Sequence, residues 1–310
     1  MIEKNMKYDV IVIGAGPIGL SCGIEASKKG LSCLIIEKGC LVNSIYNYPV
    51  NMVFFSTSER LEIGDVPFIS HGVKPTRTEA LEYYRRVKSS WKLNVHTYEK
   101  VTEVTGERGN YTVVTSKEKY CADNVIVSIG FYDNPNYMNI PGENLSKVKH
   151  YYDDAHPYAY HKVAVIGGGN SGVDVALETY RKGAEVTMII KKEKLDEGVK
   201  YWVRPDIENR IKEGSIKAYF NSVVKEIRDK EIVINSPEGE ITIDNDFVLA
   251  MTGYHPDYDF LRKIGIDLET VGNLIPCYSP ETFETNKKGL FLAGVVCGGS
   301  AAVWIPVNGS

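Results

Sequence analysis

The chain has 310 residues, 43% of them hydrophobic and 25% charged, with a formal net charge of −4. That is a globular composition with length enough for two domains. The mild charge argues against nucleic acid or an anionic membrane as partner, no apolar run reaches the roughly 18 residues of a membrane span, and no apolar signal core precedes the first strand, so a cytoplasmic location is expected.

Tyr8–Ile13 reads as a buried parallel strand. It runs into Gly14-Ala15-Gly16-Pro17-Ile18-Gly19, and Leu20–Lys29 continues as a helix closed by Gly30. This is a G-x-G-x-x-G fingerprint in its proper strand-to-helix context. Gly14 permits the tight turn, Gly16 lets a pyrophosphate approach the backbone, and Gly19 lets helix and strand pack. Ser32–Ile36 is the second strand, and Glu37 follows it. An acid about 20 residues after the glycines is placed to accept the adenosine ribose hydroxyls.

Asn43–Phe68 has neither helical nor strand periodicity but is rich in aromatic and hydroxyl residues, including Asn47, Tyr48, Phe55 and Ser56. Such a stretch suits a flat heteroaromatic ring with polar edges. Thr76–Trp91 reads as an amphipathic helix, followed by strands at 94–105, 111–116 and 120–128. The last strand ends in Ser128-Ile129-Gly130, where backbone can approach a ligand. Pro135–Leu145 has the composition of a linker.

A second copy of the pattern begins at Lys162–Ile166, with Gly167-Gly168-Gly169-Asn170-Ser171-Gly172, a helix over Val173–Arg181 and a strand over Glu185–Ile190. Where the first copy has Glu37, this one has Lys191 and Lys192. An acid there suits ribose hydroxyls, and a cation suits a 2′-phosphate, so the second site is expected to prefer NADPH. Arg204–Lys212 reads as a helix, 222–244 as an antiparallel meander, Phe247–Thr252 as a strand ending at Gly253, and Thr285–Val296 as a last strand that rejoins the first domain.

Cys22, Cys33, Cys40, Cys121, Cys277 and Cys297 are scattered with no C-x-x-C pair. Neither a disulfide framework nor a metal site is expected from them.

Two glycine loops, two strand-to-glycine segments and Gly289–Gly294, in this order, resemble the two-dinucleotide flavoproteins related to thioredoxin reductase. Longer strings resemble more narrowly the YpdA-type bacillithiol disulfide reductase family: Ser44–Pro49, Phe54–Ser58, Ile63–Phe68, Ala155–Tyr158 and Gly253–Tyr258. The resemblance implies an α/β fold of two Rossmann-like domains, the NADPH domain inserted into the FAD domain. On this reading residues 1–143 and 246–310 hold FAD and residues 144–245 hold NADPH, with hinges at Pro141–Asn144 and Asp244–Asp246. FAD is expected at Gly14, Gly16, Pro17, Ile18, Gly19, Glu37, Lys38, Asn47, Tyr48, Phe55, Ser56, Gly130, Gly294 and Val295. NADPH is expected at Gly167, Gly169, Asn170, Ser171, Lys191, Lys192 and Gly253.

The implied activity is NADPH-dependent reduction of a small disulfide, by an enzyme that forms homo-oligomers. Three departures bear on it. The first loop carries Ile18 where the family pattern implies a cysteine, Val295 follows Ala293-Gly294 where related chains have an acid, and a helix is implied beyond Ser310. Cys22, one turn beyond Ile18, and His255 are candidates for a thiol and a proton donor. The alternative activity is a ferredoxin- or flavodoxin-NADP reductase acting on a small electron-transfer protein, and a further alternative is a flavin- and NADP-binding sensor without turnover.

Overall fold

A computed structural model of the chain describes residues 7–270 and 272–301. The described residues form two compact units, one of residues 135–253 and one of the residues on either side, up to 134 and from 254.

The first unit begins with β1 (Lys7–Ile13), buried from Val10 onward. Helix α1 (Pro17–Lys28) follows, with Pro17 in its first turn, where a missing N–H costs nothing. Then come β2 (Cys33–Ile36) and a one-turn helix, α2 (Asn43–Tyr46). Helix α3 (Arg77–Ser90) starts at a capping box between Thr76 and Glu79 and buries Ala80, Tyr83, Tyr84 and Val87, spaced to share one face. Short β3 (Val95–His96) precedes the antiparallel run β4 (Val101–Glu107), β5 (Asn110–Thr115) and β6 (Lys119–Val127).

These strands form one sheet in the order β3-β2-β1-β6-β5-β4. β1 lies parallel to both β2 and β6, so strand order reverses at the carboxyl end of β1, where open α/β sheets bind ligands. The aperiodic stretch before α3 is ordered by aromatic contacts with that helix. The Tyr83 hydroxyl accepts from the Ile63 N–H at 2.7 Å, Phe68 stacks on Tyr83 with centroids 4.2 Å apart, and the Trp91 indole donates to Gly64 O at 2.8 Å.

The second unit contains β7 (Val148–Lys149), β8 (Lys162–Ile166), α4 (Asn170–Arg181), β9 (Glu185–Ile189), α5 (Arg204–Lys212), β10 (Lys217–Tyr219), the meander β11 (Val223–Ile227), β12 (Glu231–Ser236), β13 (Gly239–Asp244), and β14 (Phe247–Ala250). Its main sheet is parallel throughout, in the order β10-β9-β8-β14-β7, and the meander is a separate three-stranded sheet. β8 stands between β9 and β14 as β1 stands between β2 and β6.

Pro135–Leu145 is not a linker. Met138, Ile140 and Leu145 pack on a buried cluster of the second unit, and the Ile227 N–H donates to Pro141 O at 2.9 Å. At the other expected join, Asn245 is buried and its N–H donates to Lys230 O at 2.8 Å. Both expected hinges therefore lie inside the second unit, and the chain crosses between units at 134/135 and 253/254 rather than at 143/144 and 245/246.

After the crossing come α6 (Tyr258–Lys263), capped by the Asp257 carboxylate, and β15 (Leu290–Leu292). β15 adds in parallel to the carboxyl half of β6, as the sequence implies for a chain returning to its first domain. The architecture is α/β with one dinucleotide-type unit inserted into another. The helix implied beyond Ser310 falls outside the described residues.

Candidate functional site

In the first unit, β1 ends on a loop built around three glycines with three different constraints. Gly14 has φ +106°, and a side chain there would strike Ser128 O at 2.5 Å. A side chain at Gly19 would strike Gly14 O at 1.9 Å, which fixes how closely α1 approaches β1. A side chain at Gly16 would meet nothing within 4 Å, because Gly16 faces an open cavity. No side chain caps the N-terminus of α1, and its first turn carries no acid. Its N–H groups and dipole are thus offered to an anion in that cavity.

The cavity has a volume of about 460 Å³ and runs across the carboxyl ends of β1, β2 and β6. Glu37 closes one end. It is buried, and its two oxygens accept from the Ala15 and Gly39 N–H groups, each at 2.8 Å. Burial pushes its carboxyl above the ordinary 4.5, against the pull of those two donors. Lys38 also lines the cavity and pairs with Asp133 at 2.9 Å. Tyr48 forms a wall edge-on to Tyr132, with centroids 4.9 Å apart, and burial pushes its hydroxyl up to about 12. Gly130 (φ +65°) and Gly294 (φ +85°) line the cavity with backbone, and Val295 lines it beside them. Ile18 lies against Gly294: a side chain added at Gly294 would come within 3.0 Å of it.

Of the residues expected here, Gly14, Gly16, Pro17, Ile18, Glu37, Lys38, Tyr48, Gly130, Gly294 and Val295 line the cavity, and Gly19 supports its floor. Asn47, Phe55 and Ser56 do not. The Asn47 amide is turned back to Asn43 O at 2.9 Å, and Phe55 is exposed while its neighbour Phe54 is the one turned inward. The cavity is also lined by residues not expected from the sequence: Phe131, Tyr132 and Asp133, which directly follow the Ser128–Gly130 signal, and Tyr278, Phe283 and Cys297, which no local pattern marks.

Neither candidate catalytic group is in the cavity. Cys22 packs against the core, and burial pushes its thiol up to about 11, the reverse of what a nucleophile needs. His255 stacks on Tyr258 at 5.3 Å, and its Nδ1 lies 2.7 Å from Pro256 O. Cys297 does line the cavity, but burial pushes it up to about 11 as well.

The second unit repeats the cradle. Gly167 has φ +121°, and a side chain there would strike Met251 O at 2.4 Å. One at Gly172 would strike Gly167 O at 2.3 Å. Gly169 ends the loop, and α4 starts at Asn170 without a side-chain cap. Asn170 is engaged by the chain that follows β9: its amide donates to Gly198 O at 2.9 Å, and its carbonyl accepts from the Lys200 N–H at 3.0 Å. Ser171 and Lys191 are exposed, and Lys191 makes no ion pair among the described residues. Lys192 pairs with Asp196 at 2.6 Å. Gly253 (φ +85°) accepts from the Asn136 N–H at 2.9 Å, just past the end of β14. Among the described residues no helix is long and apolar enough to cross a membrane, and no cluster of side chains could hold a metal ion.

The profile of the pyridine nucleotide-disulphide oxidoreductase family matches residues 11–294. Bacilliredoxin reductase Bdr of Bacillus subtilis (strain 168) is 47% identical over 294 residues, covering 94% of this chain and 90% of that protein. The solved structure of bacillithiol disulfide reductase Bdr (YpdA) from Bacillus cereus superposes with a TM-score of 0.93 at 44% identity, over 96% of this chain and 93% of that one. A ferredoxin–NADP reductase of Ignicoccus hospitalis is 28% identical over 297 residues, covering 92% of this chain and 89% of that protein.

Proposed function

The chain belongs to the pyridine nucleotide-disulphide oxidoreductase family, and on that premise we propose that it reduces a small disulfide of the bacillithiol type with NADPH, using FAD held in its first unit. One NADPH and one proton convert one disulfide into two thiols. The carrying observation is the pair of matching glycine cradles with opposite charge at the following strand end, Glu37 in one and Lys191 in the other. When bound, FAD supplies a two-electron relay between the nicotinamide and the disulfide.

The chain's own residues bind and orient. The Gly14–Gly19 backbone receives the FAD pyrophosphate at the N-terminus of α1, and the open side of Gly16 leaves it room. Glu37 accepts from the adenosine ribose hydroxyls, and Lys38 stands beside it. Tyr48 walls the cavity, while the backbone of Gly130, Gly294 and Val295 meets the edge of the ring system. In the second unit Gly167, Gly169, Asn170 and Ser171 form the NADPH pyrophosphate cradle, Lys191 and Lys192 attract the 2′-phosphate, and Gly253 bounds the site at the end of β14.

Glu37 offers a test of the first cradle. Glu37→Gln removes a charged acceptor, and FAD should dissociate about 10- to 100-fold more readily, read as flavin retained on dialysis. The pH dependence has a definite sign. The ionised carboxyl is the acceptor and burial raises its pKa, so FAD affinity of the wild type should begin to fall, as pH is lowered, already above 4.5. Equal retention by the variant and the wild type at neutral pH would remove Glu37 from the site.

A second reading is favoured by one residue. With Ile18 in the first loop and neither Cys22 nor His255 in the cavity, the cysteine that lines it among the described residues is Cys297, and burial pushes its thiol up, away from the ready thiolate of a relay cysteine. A small ferredoxin or flavodoxin would need none, and a ferredoxin–NADP reductase is among the relatives.

A further inference from the structure

The two cradles differ at one point. A side chain added at Gly16 would meet nothing within 4 Å, but one added at Gly169 would meet the Asp196 carboxylate at 3.2 Å. Gly169 is the middle glycine, whose open side admits a pyrophosphate. An acid therefore stands beside the second phosphate cradle, where the first cradle has space.

Its position is built into the fold. The chain after β9 doubles back over the start of α4, and Leu195 and Val199 anchor it in the core of the second unit. The Asp196 N–H donates to Gly168 O at 3.0 Å, and the Arg204 guanidinium donates to Asp196 O. Asn170 bonds to Gly198 and Lys200 on the same segment, and Lys200 pairs with Asp174 at 2.6 Å. The backbone at Asp196 is thus fixed, while its side chain is 40% exposed. The carboxylate is held by Lys192 at 2.6 Å, one of the two lysines that the proposed function assigns to the 2′-phosphate.

We infer that Asp196 is an internal anion that stands in for the NADPH pyrophosphate in the nucleotide-free protein and lowers the affinity of the second cradle. The inference rests on the reading of the second unit as the NADPH site. An incoming pyrophosphate repels the Asp196 carboxylate and turns it away from Gly169. That movement releases Lys192, so the 2′-phosphate gains a cation that was engaged before binding. The asymmetry matches the two tasks: a resident cofactor calls for an unobstructed cradle, and a coenzyme exchanged at every turnover calls for one that also lets go.

The test is equilibrium binding of NADP⁺ and NAD⁺ to the FAD-loaded protein by calorimetry, at low and high salt. Asp196→Asn should tighten both nucleotides about five- to tenfold at low salt, with the gain shrinking as salt screens the charge. In a Lys192→Ala background the same substitution should give a larger gain, because the carboxylate there is unpaired. Asp196→Ala also removes the charge and must tighten binding too, so either variant decides the matter if the other does not fold. Unchanged or weaker binding in a folded, flavin-loaded variant overturns the inference and leaves the NADPH reading standing. A wild-type protein that binds FAD but neither NADP⁺ nor NAD⁺ at millimolar concentration overturns that reading, and the inference falls with it.

Discussion

Lys191→Ala is expected to weaken NADPH binding about 10- to 100-fold while changing NADH little, the range for loss of a charge-assisted contact. Lys191 lies two residues past the end of β9, the strand that follows α4, as Glu37 lies one residue past β2, the strand that follows α1. Its neighbours are engaged, Lys192 with Asp196, Lys194 with Glu197 and Lys200 with Asp174. Lys191 is exposed and makes no ion pair among the described residues, so its substitution removes a cation without breaking a structural contact. The unfolding midpoint should therefore stay where it was. The check is the ratio of kcat/KM for the two coenzymes, together with their dissociation constants. A ratio equal to the wild type's would remove Lys191 from coenzyme selection.

Gly19→Ala is expected to abolish tight FAD binding, raising its dissociation constant on the order of 100-fold or more. The added methyl would lie 1.9 Å from Gly14 O and 2.9 Å from the Ser128 hydroxyl. Backbone cannot yield as the end of a flexible side chain can, so α1 must lift from β1 and carry the phosphate-binding N–H groups with it. The cost of such overpacking, about 1–3 kcal/mol, should also lower the unfolding midpoint. Gly16→Ala makes the contrast, since its methyl meets no protein atom within 4 Å. It should leave the apoprotein as stable as the wild type and still impair FAD, by filling the space a pyrophosphate needs. If both variants keep FAD on dialysis, the first loop is not the flavin cradle.

The parts of this molecule legible in its sequence are those that local chemistry fixes. Gly14, Gly19, Gly167 and Gly172 are required by contacts within a strand-loop-helix unit or with the adjoining strand, so the motif carries them. Glu37 and Lys191 follow strand ends whose apolar runs are plain to read. The wall of the cavity is another matter. Phe54 faces inward and Phe55 outward in a stretch with no periodicity, and only the packing of that stretch on Tyr83, Tyr84 and Trp91 decides between them. Tyr278, Phe283 and Cys297 reach the cavity from far along the chain, on the segments that lead into and out of β15. Pro135–Leu145 misleads because proline, glycine and asparagine suggest a linker, whereas Met138, Ile140 and Leu145 among them supply apolar contacts to the core. Asp196 had no signal at all: it is one acid in a charged run, and only the fold sets it beside Gly169.

On the proposed function, electrons pass from NADPH to a small disulfide although Ile18 stands in the first loop. The most direct test is anaerobic NADPH consumption by the FAD-loaded protein, with bacillithiol disulfide in one series and a ferredoxin or flavodoxin in the other. NADPH should be consumed with the disulfide, two thiols appearing for each NADPH lost. Consumption with the electron-transfer protein and none with the disulfide would contradict it.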